Sequence, residues 1–266
     1  MGAIADGAAW LAGHPGAFLG AAWQHLLLSF TGLGIGIAIA LPAGLLVARR
    51  ARLAEAAMAL AGALRTIPSL AVLAALLPLL GVGFTPSVIA LALLALPPVL
   101  VNTVIGLRGA DAAALEAARG LGMGRWQRAW QVELPLAAPL VFAGLRIAAV
   151  QVVSAAALAT FIGGGGLGDL VTQGLALLDT GRMLVGALAI ALLALGTEAG
   201  FGLLERHLVR VPVAVDTATA PIQRPPGAGR EPPVRLASPH MRQASFEASD
   251  RSGDRSASNS RRIEGA

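Results

Sequence analysis

The chain has 266 residues, 56% of them hydrophobic and only 13% charged, with a formal net charge of +5. Roughly a quarter of an ordinary soluble domain is charged, so the composition excludes that class and points to a polytopic membrane protein. There is no cysteine, which rules out disulfide frameworks and thiolate metal sites, and no lysine, so all 20 basic residues are arginine.

In chain order, residues 1–25 contain neither arginine nor lysine. They lack the positive n-region of a cleaved signal peptide and are read as an extracytoplasmic leader. A first apolar span is predicted from about Leu26 to Ala48, stopping at Arg49, Arg50 and Arg52. A second runs from about Ala57 to Leu80. Arg65 and Pro68 make its start ambiguous, and Leu53 to Leu64 could instead lie along the membrane surface as an amphipathic lead-in. The third covers about Pro86 to Ile105, where Pro97 and Pro98 would break or kink a helix unless packed neighbours tolerate them. The fourth runs from about Leu136 to Ile162 and the fifth from about Met183 to Leu204. These spans predict an all-α membrane protein, a polytopic bundle of about five transmembrane helices occupying residues 26–208. Residues 209–266 are rich in Pro, Ser, Arg, Asp and Gly, cannot bury enough apolar surface to fold alone, and are read as a disordered cytoplasmic tail. The high isoelectric point partly reflects arginines in the tail and cytoplasmic loops, and no nucleic-acid partner is inferred from it.

Arginine placement orients the bundle. Arg49, Arg50 and Arg52 follow span one, Arg108, Arg119, Arg125 and Arg128 lie between spans three and four, and Arg206 and Arg210 follow span five. The opposite segments carry only Arg182. The positive-inside rule then puts the N-terminus outside and the C-terminus in the cytoplasm, an arrangement that five spans allow and six do not.

The most informative segment is the polar interruption Glu116 to Pro135, EAARGLGMGRWQRAWQVELP, within a longer loop of residues 106–135. Glu116-Ala117-Ala118 is followed after three residues by Gly122, and after nine more by Val132, one residue, and Leu134-Pro135. Good helix formers from Glu116 to Ala118 predict the start of a short helix. Gly120, Gly122 and Gly124 then turn the chain, and a second helix is predicted from about Arg125 to Val132, with Pro135 suiting the first turn of span four. This spacing resembles the cytoplasmic coupling loop of importer-type ABC transporter permeases, with Val132 where isoleucine is usual. The resemblance covers about Leu26 to Leu208 and is closest to the osmoprotectant subfamily. That narrower match is carried by Thr66 to Ala71, Pro78 to Gly83, Asn102-Thr103, Gly106 to Gly109, and Phe161 to Asp169.

The resemblance implies the membrane-spanning subunit of an ATP-driven importer in a bacterial cytoplasmic membrane, moving quaternary amines such as glycine betaine, choline or carnitine. It implies three kinds of partner: a separate ABC ATPase, an extracytoplasmic substrate-binding protein, and a second permease that is either another copy or a paralogue. No cofactor is expected on this chain, and ATP is used by the partner. Glu116, Ala117, Ala118, Gly122, Val132, Leu134 and Pro135 would form the ATPase-coupling unit, the small alanines allowing close approach and Glu116 meeting a basic partner or a helix N-terminus.

Other candidate residues are read on their chemistry. Gly163, Gly164, Gly165, Gly166 and Gly168 form a run that could cradle phosphate, but a P-loop ends in Gly-Lys-Ser/Thr and the chain has no lysine. A hinge or gate at the outer end of span four is the reading, with a plain connector as the alternative. Arg146 and Glu198 sit deepest in spans four and five and predict an intramembrane ion pair. A quaternary ammonium is commonly held by an aromatic cage, yet there is no tyrosine, and Trp10, Trp23, Trp126 and Trp130 all lie outside the spans. Selectivity is therefore assigned mostly to the binding protein, with a weakly selective path lined by Ser69, Asn102, Thr103, Gln151 and Ser154. Each of these could equally be helix-packing glue. No catalytic constellation or metal-spaced ligand set is present, and the chain is not read as an enzyme. The alternatives are a permease for an amino acid or other small solute, and an ion-driven carrier, which would show acidic or broken-helix ion sites near the midplane.

Overall fold

The computed structural model describes residues 2–208; the predicted tail lies outside the described residues. The described chain is helical throughout. Helices α1 (Gly2–Gly13) and α2 (Pro15–Val47) are followed by α3 (Ala51–Thr66), α4 (Ser69–Leu80) and α5 (Phe84–Arg108). Next come α6 (Ala112–Gly120), α7 (Arg125–Arg128), α8 (Leu134–Ala155), α9 (Leu167–Leu177) and α10 (Thr180–Leu208). A π-helical turn, Ala129–Glu133, joins α7 to α8, and a 3₁₀ stretch, Ala156–Ile162, continues α8.

Four helical stretches are long and apolar enough to cross a membrane: Pro15–Val47, Phe84–Arg108, Arg125–Ile162 and Thr180–Leu208. The predicted second span is not one straight helix. It is the pair α3 and α4, bent by 93° at the Ile67-Pro68 break. Pro68 explains the position. The residue before a proline is driven out of the helical region, and Ile67 has φ −78 and ψ 122. Counted as one broken span, the pair brings the total to five.

Three further boundaries differ from the sequence expectation. Part of the leader belongs to α2, which begins at Pro15. Proline is pre-organised for the first helical position, and the following Gly-Ala-Phe-Leu-Gly-Ala-Ala segment contains nothing that breaks a helix already started. Pro97 and Pro98 lie inside a continuous α5. The carbonyl that Pro98 cannot serve, that of Leu94, instead faces the Gln151 amide at 3.5 Å, and Pro97 and Pro98 are both buried by packing. Finally, α9 lies between the fourth and fifth predicted spans, where no helix was expected, and Leu167 and Leu170 anchor it in the bundle.

Helix α5 is the centre of the bundle, packed by α2, α8, α3 and α4. Leu28 and Leu33 from α2, Leu91 and Val99 from α5, and Val152 from α8 belong to one buried cluster. Between helices in lipid there is no hydrophobic driving force, so close van der Waals packing across small residues holds them. Gly36 shows how close that is: a Cβ there would lie 2.5 Å from Ala95 Cβ and 2.9 Å from the Ala92 carbonyl oxygen. At the other end of the chain, α1 is tied to α10. The Arg182 guanidinium lies 5.2 Å from the Trp10 ring centroid, and Trp10 stacks on His14 at 5.1 Å.

Candidate functional site

The polar loop folds as two helical segments about a tight turn. Helix α6 begins at Ala112, with Asp111 as its N-cap accepting from the Ala113 N–H at 2.9 Å. The start predicted at Glu116 is therefore corrected by four residues. The cap belongs to Asp111, whose short carboxylate reaches an amide two residues on, and Glu116 lies mid-helix. Glu116 and Ala117 are exposed, while Ala118 is buried against its own chain. The helix ends in a Schellman arrangement. Met123 N–H donates to Ala118 O at 3.1 Å, and Gly122 N–H donates to Arg119 O at 3.0 Å. Gly122 has φ +75, the left-handed value this ending requires.

The second segment is not a separate helix. From α7 the chain runs through the π turn directly into α8. Leu134 N–H donates to Ala129 O, five residues back, and Pro135 has no N–H to offer Gln131. A widened turn accommodates that missing donor. Val132 and Leu134 are half-buried in it, and Pro135 is exposed. Trp126 and Trp130 face outward and, with Pro42, Leu45, Leu46 and Leu107, line a cavity of about 330 Å³.

Gly122→Val should disturb this turn without touching the bundle. Nothing lies within 4 Å of a Cβ at Gly122, so the cost is backbone strain alone, about 1–2 kcal/mol or more. Co-purification of the ATPase and substrate-stimulated ATP hydrolysis should fall while membrane yield is retained. Gly124→Ala, at φ −63 with equal open space, should behave as wild type. Equal coupling in the two variants would make Gly122 a passive loop position.

Glu133, which sequence reasoning did not single out, ties this unit to the bundle. Its carboxylate lies 3.2 Å from Arg49 Nη2, just beyond the end of α2, and 3.1 Å from Arg128 Nε in α7. The Glu133 side chain is only 16% exposed. The only sequence signal was the arginine cluster at the end of span one.

Between the spans, Arg146 Nε lies 3.2 Å from Glu198 Oε1, and its Nη1 lies 3.7 Å from Glu205 Oε2. The second partner was not anticipated. Glu198 and Glu205 are seven residues apart, close to two helical turns, which places both on the face of α10 that meets α8.

The glycine run is packed rather than open. Gly164 to Gly166 and Gly168 are buried, whereas Gly163 is exposed. Gly164 N–H donates to Ala159 O at 2.8 Å, ending the 3₁₀ stretch, and Gln24 Nε2 donates to Gly164 O at 3.0 Å. Gly83 N–H donates to Ile162 O at 2.7 Å, joining the α4–α5 loop to the same place. Beside the run, His25 is buried and donates from Nε2 to Val153 O at 3.0 Å. The Thr160 hydroxyl bonds Asp169 across the run.

The predicted path residues divide. Ser69, Gln151 and Ser154 surround one cavity of about 620 Å³, which Arg65, Leu94 and Pro97 also line. Asn102 and Thr103 are elsewhere. Asn102 donates to Pro98 O at 2.8 Å on its own helix, and Thr103 is fully buried, donating to Val99 O at 2.7 Å.

Comparison with known proteins sets this geometry in context. Residues 32–210 match the family model described as binding-protein-dependent transport system inner membrane component. The carnitine transport permease protein OpuCB of Listeria monocytogenes is 44% identical over 186 residues, covering 70% of this chain and 85% of that protein. The glycine betaine/carnitine/choline transport system permease protein OpuCB of Bacillus subtilis is 37% identical over 185 residues, with coverage of 70% and 85%. The osmoprotectant import permease protein OsmY of Salmonella typhimurium is 41% identical over 174 residues, with coverage of 65% and 74%. Among solved structures, an inward-facing MetNI methionine ABC transporter chain superposes with a TM-score of 0.65 at 22% identity, over 71% of this chain and 95% of that one. That likeness speaks to the fold alone.

Proposed function

The chain belongs to the family of binding-protein-dependent transport system inner membrane components, and from that premise we propose that it is the permease of an ATP-driven importer of osmoprotectants. The substrates would be quaternary amines such as glycine betaine, choline or carnitine. The observation that carries this reading is identity of 37–44% with osmoprotectant, carnitine and choline permeases through the membrane region. The chain is a transport subunit, and the ATPase is a separate polypeptide. That ATPase would dock on the loop from α6 to the π turn, where Glu116 and Ala117 are exposed and the turn at Gly122 sets the angle between the two helical segments. A binding protein would deliver substrate at the outer face, where the glycine run is packed against α2 and the α4–α5 loop. A second permease, a copy or a paralogue, would complete the membrane part. The arginine distribution supports an N-terminus outside and the docking loop in the cytoplasm.

Each subunit has a distinct expected contribution. Uptake into proteoliposomes holding this chain, its partner permease, the ATPase and the binding protein should require every one of them. Omitting the ATPase should reduce uptake of labelled glycine betaine, carnitine and choline to background even with ATP present. Robust ATPase-free uptake would sink the proposal in favour of an ion-driven carrier. Methionine uptake without any quaternary amine uptake would leave the permease and remove the substrate class.

A further inference from the structure

We propose that Arg65 holds the carboxylate of a zwitterionic substrate within the membrane, making this permease distinguish carboxylated amines from those without a carboxylate. The inference rests on reading the chain as a permease for quaternary amines.

Arg65 stands next to the break between α3 and α4 and lines the 620 Å³ cavity. The depth of that cavity follows from its other walls. Leu94 lies ~15 Å along α5 from Phe84, and Pro97 lies ~17 Å from Arg108, at ~1.5 Å per residue. Gln151 and Ser154, in the second half of α8, complete the lining beside Leu94. The cavity that Arg65 lines is thus beside the middle of a spanning helix rather than at either end, and Arg65 itself is exposed. An arginine at that depth is costly, and such groups are normally paired or functional.

Arg65 has no carboxylate within ion-pair distance among the described residues, and no acidic side chain lines its cavity. Arg146, well inside α8, has two glutamates. The cavity is also within the roughly 300–1,000 Å³ of small-molecule sites. A cation facing a cavity of that size, without a protein counter-ion, is matched by an anionic group on what enters it.

The rest of the lining suits a dipolar solute. Pro98 leaves the Leu94 carbonyl without its helical donor, and the Gln151 amide meets it only at 3.5 Å. That carbonyl, with the oxygens of Ser69, Gln151 and Ser154, offers partial negative charge to a quaternary ammonium. No aromatic ring lines the cavity, so a cation–π cage is not its means of recognition. The carboxylate is the stronger handle, because a guanidinium binds it through charge-assisted, two-point hydrogen bonds. Glycine betaine and carnitine carry that carboxylate and choline does not.

The test uses the complete transporter in proteoliposomes. Arg65→Gln should lower glycine betaine and carnitine uptake about tenfold, the scale of one charged hydrogen bond. Arg65→Lys should recover most of the loss, and choline uptake should change far less. A second pair leaves Arg65 intact. Ser154→Asp places a competing carboxylate in the cavity and should depress uptake of carboxylated amines well below Ser154→Asn. Unchanged uptake in Arg65→Gln, equal loss for choline and glycine betaine, or equal behaviour of the two Ser154 variants would each overturn the inference alone. A wild-type transporter that carries neither carboxylated amine would overturn the underlying reading and the inference with it.

Discussion

Gly36→Leu should leave little folded permease in the membrane, whereas Gly34→Leu, two residues earlier on the same helix, should be recovered like wild type. The contrast follows from what each new side chain would meet. At Gly36 the first carbon alone would sit 2.5 Å from Ala95 Cβ and 2.9 Å from the Ala92 carbonyl oxygen, closer than any real contact. Neither obstacle is the end of a flexible side chain, so relief requires α2 and α5 to separate. Overpacking a core typically costs about 1–3 kcal/mol and occasionally more, and a backbone obstacle places this case at about 3 kcal/mol or above. That is a large part of the roughly 5–15 kcal/mol by which folded proteins are stable. The α2–α5 seam also carries the buried cluster of Leu28, Leu33, Leu91 and Val99. At Gly34 nothing lies within 4 Å. The measurement is monodisperse yield and thermal midpoint of the detergent-solubilised chain for both variants. Equal stability would show that the two helices pack with more slack than the structure has.

Glu133→Gln should uncouple ATP hydrolysis from transport, by a larger factor than any change at the exposed Glu116. Among the described residues, the Glu133 carboxylate is the one side chain that ion-pairs both with the end of the first span, through Arg49, and with the docking loop, through Arg128. Arg49 is half-exposed, and an exposed ion pair is worth about 0–1 kcal/mol. The pair with Arg128 is better sheltered, since both side chains are under 20% exposed. Removing one partner there leaves a charge without its mate, and about 1–3 kcal/mol is the expected penalty. If that energy holds the loop against the bundle when the ATPase pulls, transport per ATP should fall roughly tenfold for each 1.4 kcal/mol lost, while basal ATP hydrolysis persists. Uptake per ATP hydrolysed is the readout. Glu133→Gln and Arg128→Gln should not add when combined, because each breaks the same contact. Strict additivity, or normal coupling in Glu133→Gln, would show the cluster to be surface decoration.

Much of this protein is written locally. Apolar runs long enough to cross a bilayer report their own position, because the cost of leaving a charge or a free backbone group in lipid is paid residue by residue. The spans around α2, α5, α8 and α10 were accordingly legible, as was the loop between α5 and α8 from the spacing of Glu116 to Pro135. The turn at Gly122 was legible too, since only glycine takes φ +75 without penalty. Arg146 and Glu198 could be picked out as ionisable groups at similar depth, because few charges are tolerated there.

What remained hidden depends on residues distant in sequence. Glu133 reads as an unremarkable acidic residue until the fold brings Arg49, 84 positions away, to its carboxylate. Ser69, Gln151 and Ser154 are equivalent to Asn102 and Thr103 as isolated polar letters. Only packing shows that the first three share a cavity with Arg65, whereas Thr103 is sealed in the α2–α5 seam. The cavity sits at the break where one span bends by 93°, and a proline announces a break without saying where the two halves will point. Helix α9 escaped for the same reason: its eleven residues are too few to read as a span, and its place is decided by Leu167 and Leu170 finding the bundle. Hydropathy and glycine conformation are properties of a segment, and the sequence alone determined them. Ion pairing, cavity lining and the direction of a bent helix are properties of pairs of segments, and only the tertiary structure decided them.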